Sequence, residues 1–344
     1  MSATSQALAP EPMVFAPPAE LPEVRCPVCS AACSEPPLYR YTVTQAAAHF
    51  CPPTRSQERN RRLRLCIRRL WQGDDCVILR CGACGFAFGS PFVSGDEEFY
   101  SLLHEQRDYP TWRWDYDVAI REAVRKFPGG RILDLGAGVG NFLRRLGSEW
   151  ECFGVEGSES TRLDLEKVGV KVFRDLATAA QTQAGSFQVV TLFQVLEHIA
   201  EFDLVLMFCR QVLATGGRLV ITVPEGDAMI RQQLLTGCHD MPPNHVNKWS
   251  YESLSRALER AGFAVSQPIP EPASWRQVKS SLHLKIVADA TNEQSLAAQI
   301  YRIQNRTLRR LVLASLGVPA LISMLPHLSK LRLGGAFGVI AVTR

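Results

Sequence analysis

Two Cys-x-x-Cys pairs, Cys26/Cys29 in "CPVCS" and Cys81/Cys84 in "CGACG", are the densest chemistry in the chain. Four thiolates suit a tetrahedral Zn²⁺, which takes sulfur at about 2.3 Å and, once closed, leaves no position for a reacting molecule. A metal held by Cys26, Cys29, Cys81 and Cys84 is therefore expected to be structural, with free buried thiols as the alternative. The 51 residues between the pairs exceed ordinary finger spacing, so spacing alone does not decide between them. Eight of the eleven cysteines fall within the first 84 residues. Without a secretory signal, such crowding points to metal before disulfides. Cys33, Cys51, Cys66 and Cys76 receive no role.

The second constellation is "RILDLGAGVGNFL", residues 131–143. A strand that ends in Gly-x-Gly-x-Gly and runs into a helix offers bare backbone N–H groups to a ligand. A dinucleotide loop needs its third glycine at the sixth position, which is Asn141 here; the glycines are Gly136, Gly138 and Gly140. Asp134 at the strand end would repel a pyrophosphate but suits a cationic ammonium or sulfonium. Glu156, twenty residues after Gly136, stands where a carboxylate can accept from a ribose diol. A ligand with both a ribose and a cationic amino-acid end is S-adenosylmethionine (SAM).

With that ligand in view, "ILDLGAGVGNFL", "GVEGSE", "FQVVTLFQVLEHI", "ATGGRLVITVPE" and "PPNHVNKWS" resemble, in order, the class I SAM-dependent methyltransferases. The likeness is strongest to the branch with an amino-terminal zinc module acting on small molecules, including sugar-nucleotide C-methyltransferases. It covers roughly residues 26–249 and the final strand. The resemblance implies that Asp134, Gly136, Ala137, Gly138 and Gly140 line the methionine and ribose, and that Glu156 binds the ribose hydroxyls. It puts Asp175 and Leu176 near the adenine, and Phe193 and Gln194 at the methionine end.

Methyl transfer from a sulfonium is an in-line displacement, so the protein must align a nucleophile and remove its proton. His245, just past the fifth strand, is the candidate base, because imidazole titrates near cytoplasmic pH. The alternative is a histidine that anchors a lid. Asn244 stands where the sugar C-methyltransferases have Glu. His198 is read as opening, capping and packing a helix after the fourth strand. Tyr109, Trp112 and Trp114 are either core or a stacking group over the ligands.

These residues need a frame. Residues 131–135, 151–156, 171–173, 187–193, 218–223, 263–265 and 338–342 read as strands separated mostly by helices. That pattern predicts an α/β fold with a Rossmann-like seven-stranded sheet, parallel and doubly wound, beside a small four-cysteine module. The expected divisions are a disordered tail at 1–22, a zinc module with a basic insert at 23–90, a helical connector at 91–127 and the methyltransferase domain at 128–344. Residues 275–333 form a helical insertion before the last strand. Within it a Thr291-x-x-Gln294 box should open a helix with Leu296, Ile300, Ile303 and Leu311 on one face.

The basic insert carries seven arginines between Arg55 and Arg69. It reads either as an amphipathic helix with Leu63, Ile67 and Leu70 inside, or as a phosphate clamp for a nucleotide sugar or RNA. A net charge of +4 is too small to make the chain a nucleic-acid binder by itself. Residues 311–328 lack formal charge, yet they hold Gly317, Pro319 and Pro326 and barely reach membrane-spanning length. A buried or interfacial hairpin, touching a membrane peripherally at most, is expected there. The expectation is therefore a cytoplasmic enzyme using SAM and structural zinc on a small-molecule acceptor. The rivals are an rRNA base methyltransferase and a non-catalytic SAM-binding partner protein.

Overall fold

A computed structural model describes residues 24–104, 112–157, 159–236, 241–272, 294–303, 305–315 and 335–344, with isolated positions between 274 and 292 and at 322. The tail and Tyr109 lie outside the described residues, as does most of 316–334.

The first three strands belong to the amino-terminal module: β1 (Tyr39–Thr42), β2 (Asp75–Arg80) and β3 (Ala87–Ser90). The main sheet uses β4 (Gly130–Leu135), β5 (Trp150–Val155), β6 (Lys171–Phe173), β7 (Phe187–Phe193) and β8 (Leu213–Pro224). After the two-residue strand β9 (Asn247–Lys248) come β10 (Phe263–Val265), β11 (Ile269–Pro270) and β12 (Ala336–Thr343). The strand order is β10-β12-β8-β7-β4-β5-β6, with β11 paired to β12 off this path.

All seven expected strands are present in the large sheet. The departure is β12, which runs antiparallel to both β8 and β10, so the sheet is parallel-rich and not wholly parallel. Strands β4 and β7 are apolar at most positions and buried along most of their length, as parallel strands covered on both faces require; Asp134 and Thr191 interrupt them and bond each other. Chain order reverses at β4: β5 and β6 lie to one side, β7 and β8 to the other. In such sheets the crevice at the carboxyl ends beside the reversal is where ligands sit.

The module is not a separate bead. Its sheet has the order β1-β2-β3-β9, and β9 comes from far along the chain. Phe86 beside β3 meets Trp249 with ring centroids 4.6 Å apart, and Phe202 meets Trp249 at 5.0 Å. All three are fully buried. Each such ring contributes roughly 4–6 kcal/mol of transfer free energy before conformational entropy is subtracted. One core cluster runs from Cys26 and Phe88 to Leu254 and Phe337.

The insertion differs from its expected form. It divides into helices Leu296–Tyr301 and Arg306–Ser315, and Ser295 caps the first by accepting the Ala298 N–H at 3.0 Å. Leu296 and Leu311 are exposed while Ile300 is buried, so the four apolar residues do not share one face. Leu311 belongs to the second helix, so the single-helix register on which the expectation rested does not hold; Thr291 lies outside the described residues. Among the described residues no helix is long and apolar enough to cross a membrane.

Candidate active site

The glycine loop is shaped by backbone demands. Gly136, Gly138 and Gly140 adopt φ of 73°, 53° and 76°, a left-handed conformation that side chains disfavour. A Cβ at Gly136 would also lie 2.8 Å from Val195 Cγ2. The Gly138 N–H donates to Glu156 Oε2 at 3.1 Å, which ties the loop to the tip of β5. Arg162 holds that tip by donating to the Glu156 and Gly157 carbonyls at 3.1 and 2.6 Å. Ala137 is buried between these glycines.

Asp134 is only 3% exposed and accepts from Thr191 Oγ1 at 2.7 Å. Burial pushes its carboxyl up to about 7, and the Thr191 hydrogen bond and nearby Arg113 only partly oppose that. A cation placed beside it would bring the carboxylate back down. Gln194, at the tip of β7, has φ of 58° and donates its backbone N–H to Thr222 O at 2.9 Å. Its side-chain Nε2 is buried without a hydrogen-bond partner among the described residues. Phe193 packs into a ring group with Tyr116 and Phe142, each centroid 4.9 Å away. Asp175 caps the helix Leu176–Thr182, accepting the Thr178 N–H at 2.8 Å, and this bond holds its carboxyl below its usual range. Leu176 is half-buried against the main core. These residues lie along the carboxyl edge of β4, β5, β6 and β7. Trp112 donates its indole N–H to Asp117 Oδ1 at 3.0 Å, and Trp114, at the start of the helix Trp114–Glu122, packs partly buried against the core that holds Tyr116 and Phe142.

The reacting end is assembled differently. His198 does not open a helix; it closes a one-turn 3₁₀ segment, Leu196–His198, and the following helix begins at Phe202. Its Nδ1 lies 2.8 Å from the Asn244 carbonyl oxygen, and its ring meets His245 at a centroid distance of 4.6 Å. Glu197 beside it is 1% exposed, with one carboxylate oxygen 4.0 Å from His198 Nε2. The Val246 N–H donates to the Glu197 carbonyl at 2.9 Å, and Asn247 Nδ2 donates to the Leu196 and Ile199 carbonyls at 2.9 and 2.7 Å. Tyr100, from the helix Glu97–His104, meets His198 edge-on at 6.0 Å. Sequence reasoning missed Glu197 and Tyr100 and misread His198. The adjacent acid and imidazole in "VLEHI" were the available signal. One donor atom each from Glu197, His198 and His245 lie within 4.8 Å of one another, a set that can share a proton or fit a divalent cation.

The four module thiols converge. Cys26 and Cys84 sulfurs are 3.6 Å apart, and Cys29 and Cys81 sulfurs 3.5 Å. A tetrahedron of sulfurs at about 2.3 Å from a metal has edges of roughly 3.8 Å, so the donor set fits zinc. Burial pushes the Cys84 thiol up to about 11, whereas hydrogen bonds outweigh burial at Cys29 and bring it down to about 7. Cys33 is half-buried next to the quartet, and no ligand atom in the cluster comes from it.

Comparison with known proteins agrees with this geometry. Residues 111–267 match the family model of a methyltransferase domain. A ubiquinone biosynthesis O-methyltransferase of Mesorhizobium japonicum is 34% identical over 109 residues, covering 29% of this chain and 43% of that protein. The one from Cereibacter sphaeroides is 27% identical over 184 residues, covering 46% of this chain and 72% of its own. The chain thus spans less than half the length of the first curated relative that it matches. A SAM-dependent methyltransferase structure from Archaeoglobus fulgidus aligns over 66% of this chain and 91% of its own, at 18% identity and a TM-score of 0.42. That last likeness is too loose to carry an assignment. Residues 111–267 are thus a methyltransferase domain, of the class I SAM-dependent type.

Proposed function

We propose that the protein is an enzyme that transfers a methyl group from SAM to a small-molecule acceptor. One observation carries the reading: a glycine loop latched to Glu156 shares the carboxyl edge of the sheet with a His198–His245 pair. SAM would supply an electrophilic methyl carbon. Glu156 would exchange its Gly138 contact, in part, for the ribose hydroxyls, and Asp134 would face the cationic end. His245 would take the proton of the acceptor, with His198 oriented behind it by the Asn244 carbonyl. The named O-methyltransferase relatives support a small acceptor. We favour an anionic one, such as a nucleotide-linked sugar, in the cytoplasm. In this reading zinc at Cys26, Cys29, Cys81 and Cys84 is structural.

The test is incubation with methyl-labelled SAM and a small-molecule extract, with total RNA in a second tube. Label in a small molecule is expected. Label only in RNA would shift the function to base methylation, and SAM binding without transfer in either tube would make the protein a non-catalytic partner.

A further inference from the structure

The arginine-rich insert remains unexplained by methyl transfer, and its contacts give it a role. It forms the helix Gln57–Trp71, with Leu63 and Ile67 buried. Five of its six arginines turn to partners within the protein, among them Arg61 to Glu58, Arg64 to Thr44 Oγ1 and Arg68 to Asp74. Two of them reach a single neighbouring helix, Glu97–His104, at opposite ends.

At its amino end, Arg69 donates to Asp96 Oδ2 at 2.6 Å and to Glu98 Oε2 at 2.8 Å. Asp96 in turn caps the helix by accepting the Phe99 N–H at 2.9 Å. At the carboxyl end, Arg59, only 9% exposed, donates to the Leu102 carbonyl at 2.6 Å and to the Leu103 carbonyl at 3.0 Å. A carboxylate at the first turn and a guanidinium on the last carbonyls both match the helix dipole. A buried arginine is a costly way to end a short helix unless its position matters. The helix approaches the reaction site directly. The Gly95 N–H before it donates to the Pro243 carbonyl at 2.9 Å, and Ser94 Oγ accepts the Ala200 N–H at 2.7 Å. Between the two clamped ends sits Tyr100, edge-on to His198.

We propose that the arginine-rich helix is an internal brace: Arg59 and Arg69 are positioning residues that set Tyr100 against the His198–His245 pair. The proposal rests on reading that pair as the reacting end, and it makes Tyr100, on the connector helix held by the module, part of the wall around the acceptor. The long basic insert is thereby a part of the site's geometry and not a nucleic-acid surface.

The test uses the full chain labelled with 3-fluorotyrosine, with the Tyr100 resonance assigned through Tyr100→Phe. Its fluorine signal is expected to move in His198→Ala, which removes the neighbouring ring. It is expected to move to the position of a solvent-exposed tyrosine in Arg69→Ala and in Arg59→Gln, and to return in Arg69→Lys. SAM affinity, read by calorimetry, should change less than twofold in Arg69→Ala, whereas general unfolding would lower it. If Arg59→Gln does not fold, the Ala and Lys variants at Arg69 decide the matter. A Tyr100 signal unmoved by Arg69→Ala, or loss in that variant of a salt-sensitive complex with total RNA while the signal stays in place, overturns the brace. Wild-type protein that binds no SAM would sink the methyltransferase reading and leave the fluorine result standing by itself.

Discussion

The two halves of the site are built by opposite means. The backbone cradle and the ribose acceptor of the cofactor half come from one continuous stretch, residues 134–156, in which a strand, a glycine loop and the next strand tip fold back on each other. The reacting half draws on three distant segments. Ser94 reaches Ala200 across 106 residues, His198 reaches Asn244 across 46, and Phe88 pairs with Asn247. A backbone cradle needs consecutive N–H groups, so it must be local. Proton transfer needs only side chains brought close, so it can be assembled by tertiary packing. The first half should therefore fail by losing the cofactor, and the second by losing turnover.

The largest effect expected is one that crosses the divide. Cys84→Ser should lower bound zinc below one per chain and cost more than about 4 kcal/mol of stability, because loss of a metal belongs to the severe class of substitutions. Since the Cys84 knuckle runs into β3, and β3 pairs with β9, turnover should fall with it. Metal analysis and thermal unfolding check this; a zinc-free wild type would remove the metal from the account. Next, His245→Ala should lower turnover by roughly 10²–10⁴-fold while SAM affinity stays nearly intact. A rise in acceptor KM with turnover preserved at saturation would make His245 a lid anchor.

Smaller effects belong to the cofactor half. Glu156→Ala removes a charge-assisted acceptor, a contribution of roughly 1.5–3 kcal/mol, so SAM affinity should fall at least about tenfold. Unchanged affinity would take Glu156 out of the site. The smallest effect is a pH dependence. In the ligand-free protein the Asp134 carboxyl sits at about 7, raised above its unfolded value. A raised value means that its contribution to stability is full at low pH and is lost as pH rises through about 7. A cationic ligand favours the ionised form, so SAM binding should release a proton below about pH 7, and affinity should rise with pH and level off above it. Asp134→Asn should flatten that profile; an identical profile in the variant would place the titration elsewhere.

The same contrast explains what the sequence disclosed. Each expected strand of the main sheet is present because apolar runs bounded by glycines and polar helices carry a local signal. The glycine loop and Glu156 were legible for the same reason. The antiparallel course of β12 was not, since direction is set by pairing with β8 and leaves no mark on the strand itself. His198 was misread because its partner, the Asn244 carbonyl, is contributed by another loop. Asp175, which the resemblance puts near the adenine, also caps a helix by accepting the Thr178 N–H, a second role that the motif alone did not disclose. Tyr100 gave no sign at all, because its position depends on two arginines in an insert that, by composition, looked like a charged surface.

The central claim is that the loop at Gly136, Gly138 and Gly140 holds SAM and not a dinucleotide. Calorimetric titration of the purified chain with SAM and, separately, with NADH tests it most directly. The account predicts saturable binding of one SAM per chain and no heat of binding for NADH. Tight NADH binding with none for SAM would contradict it.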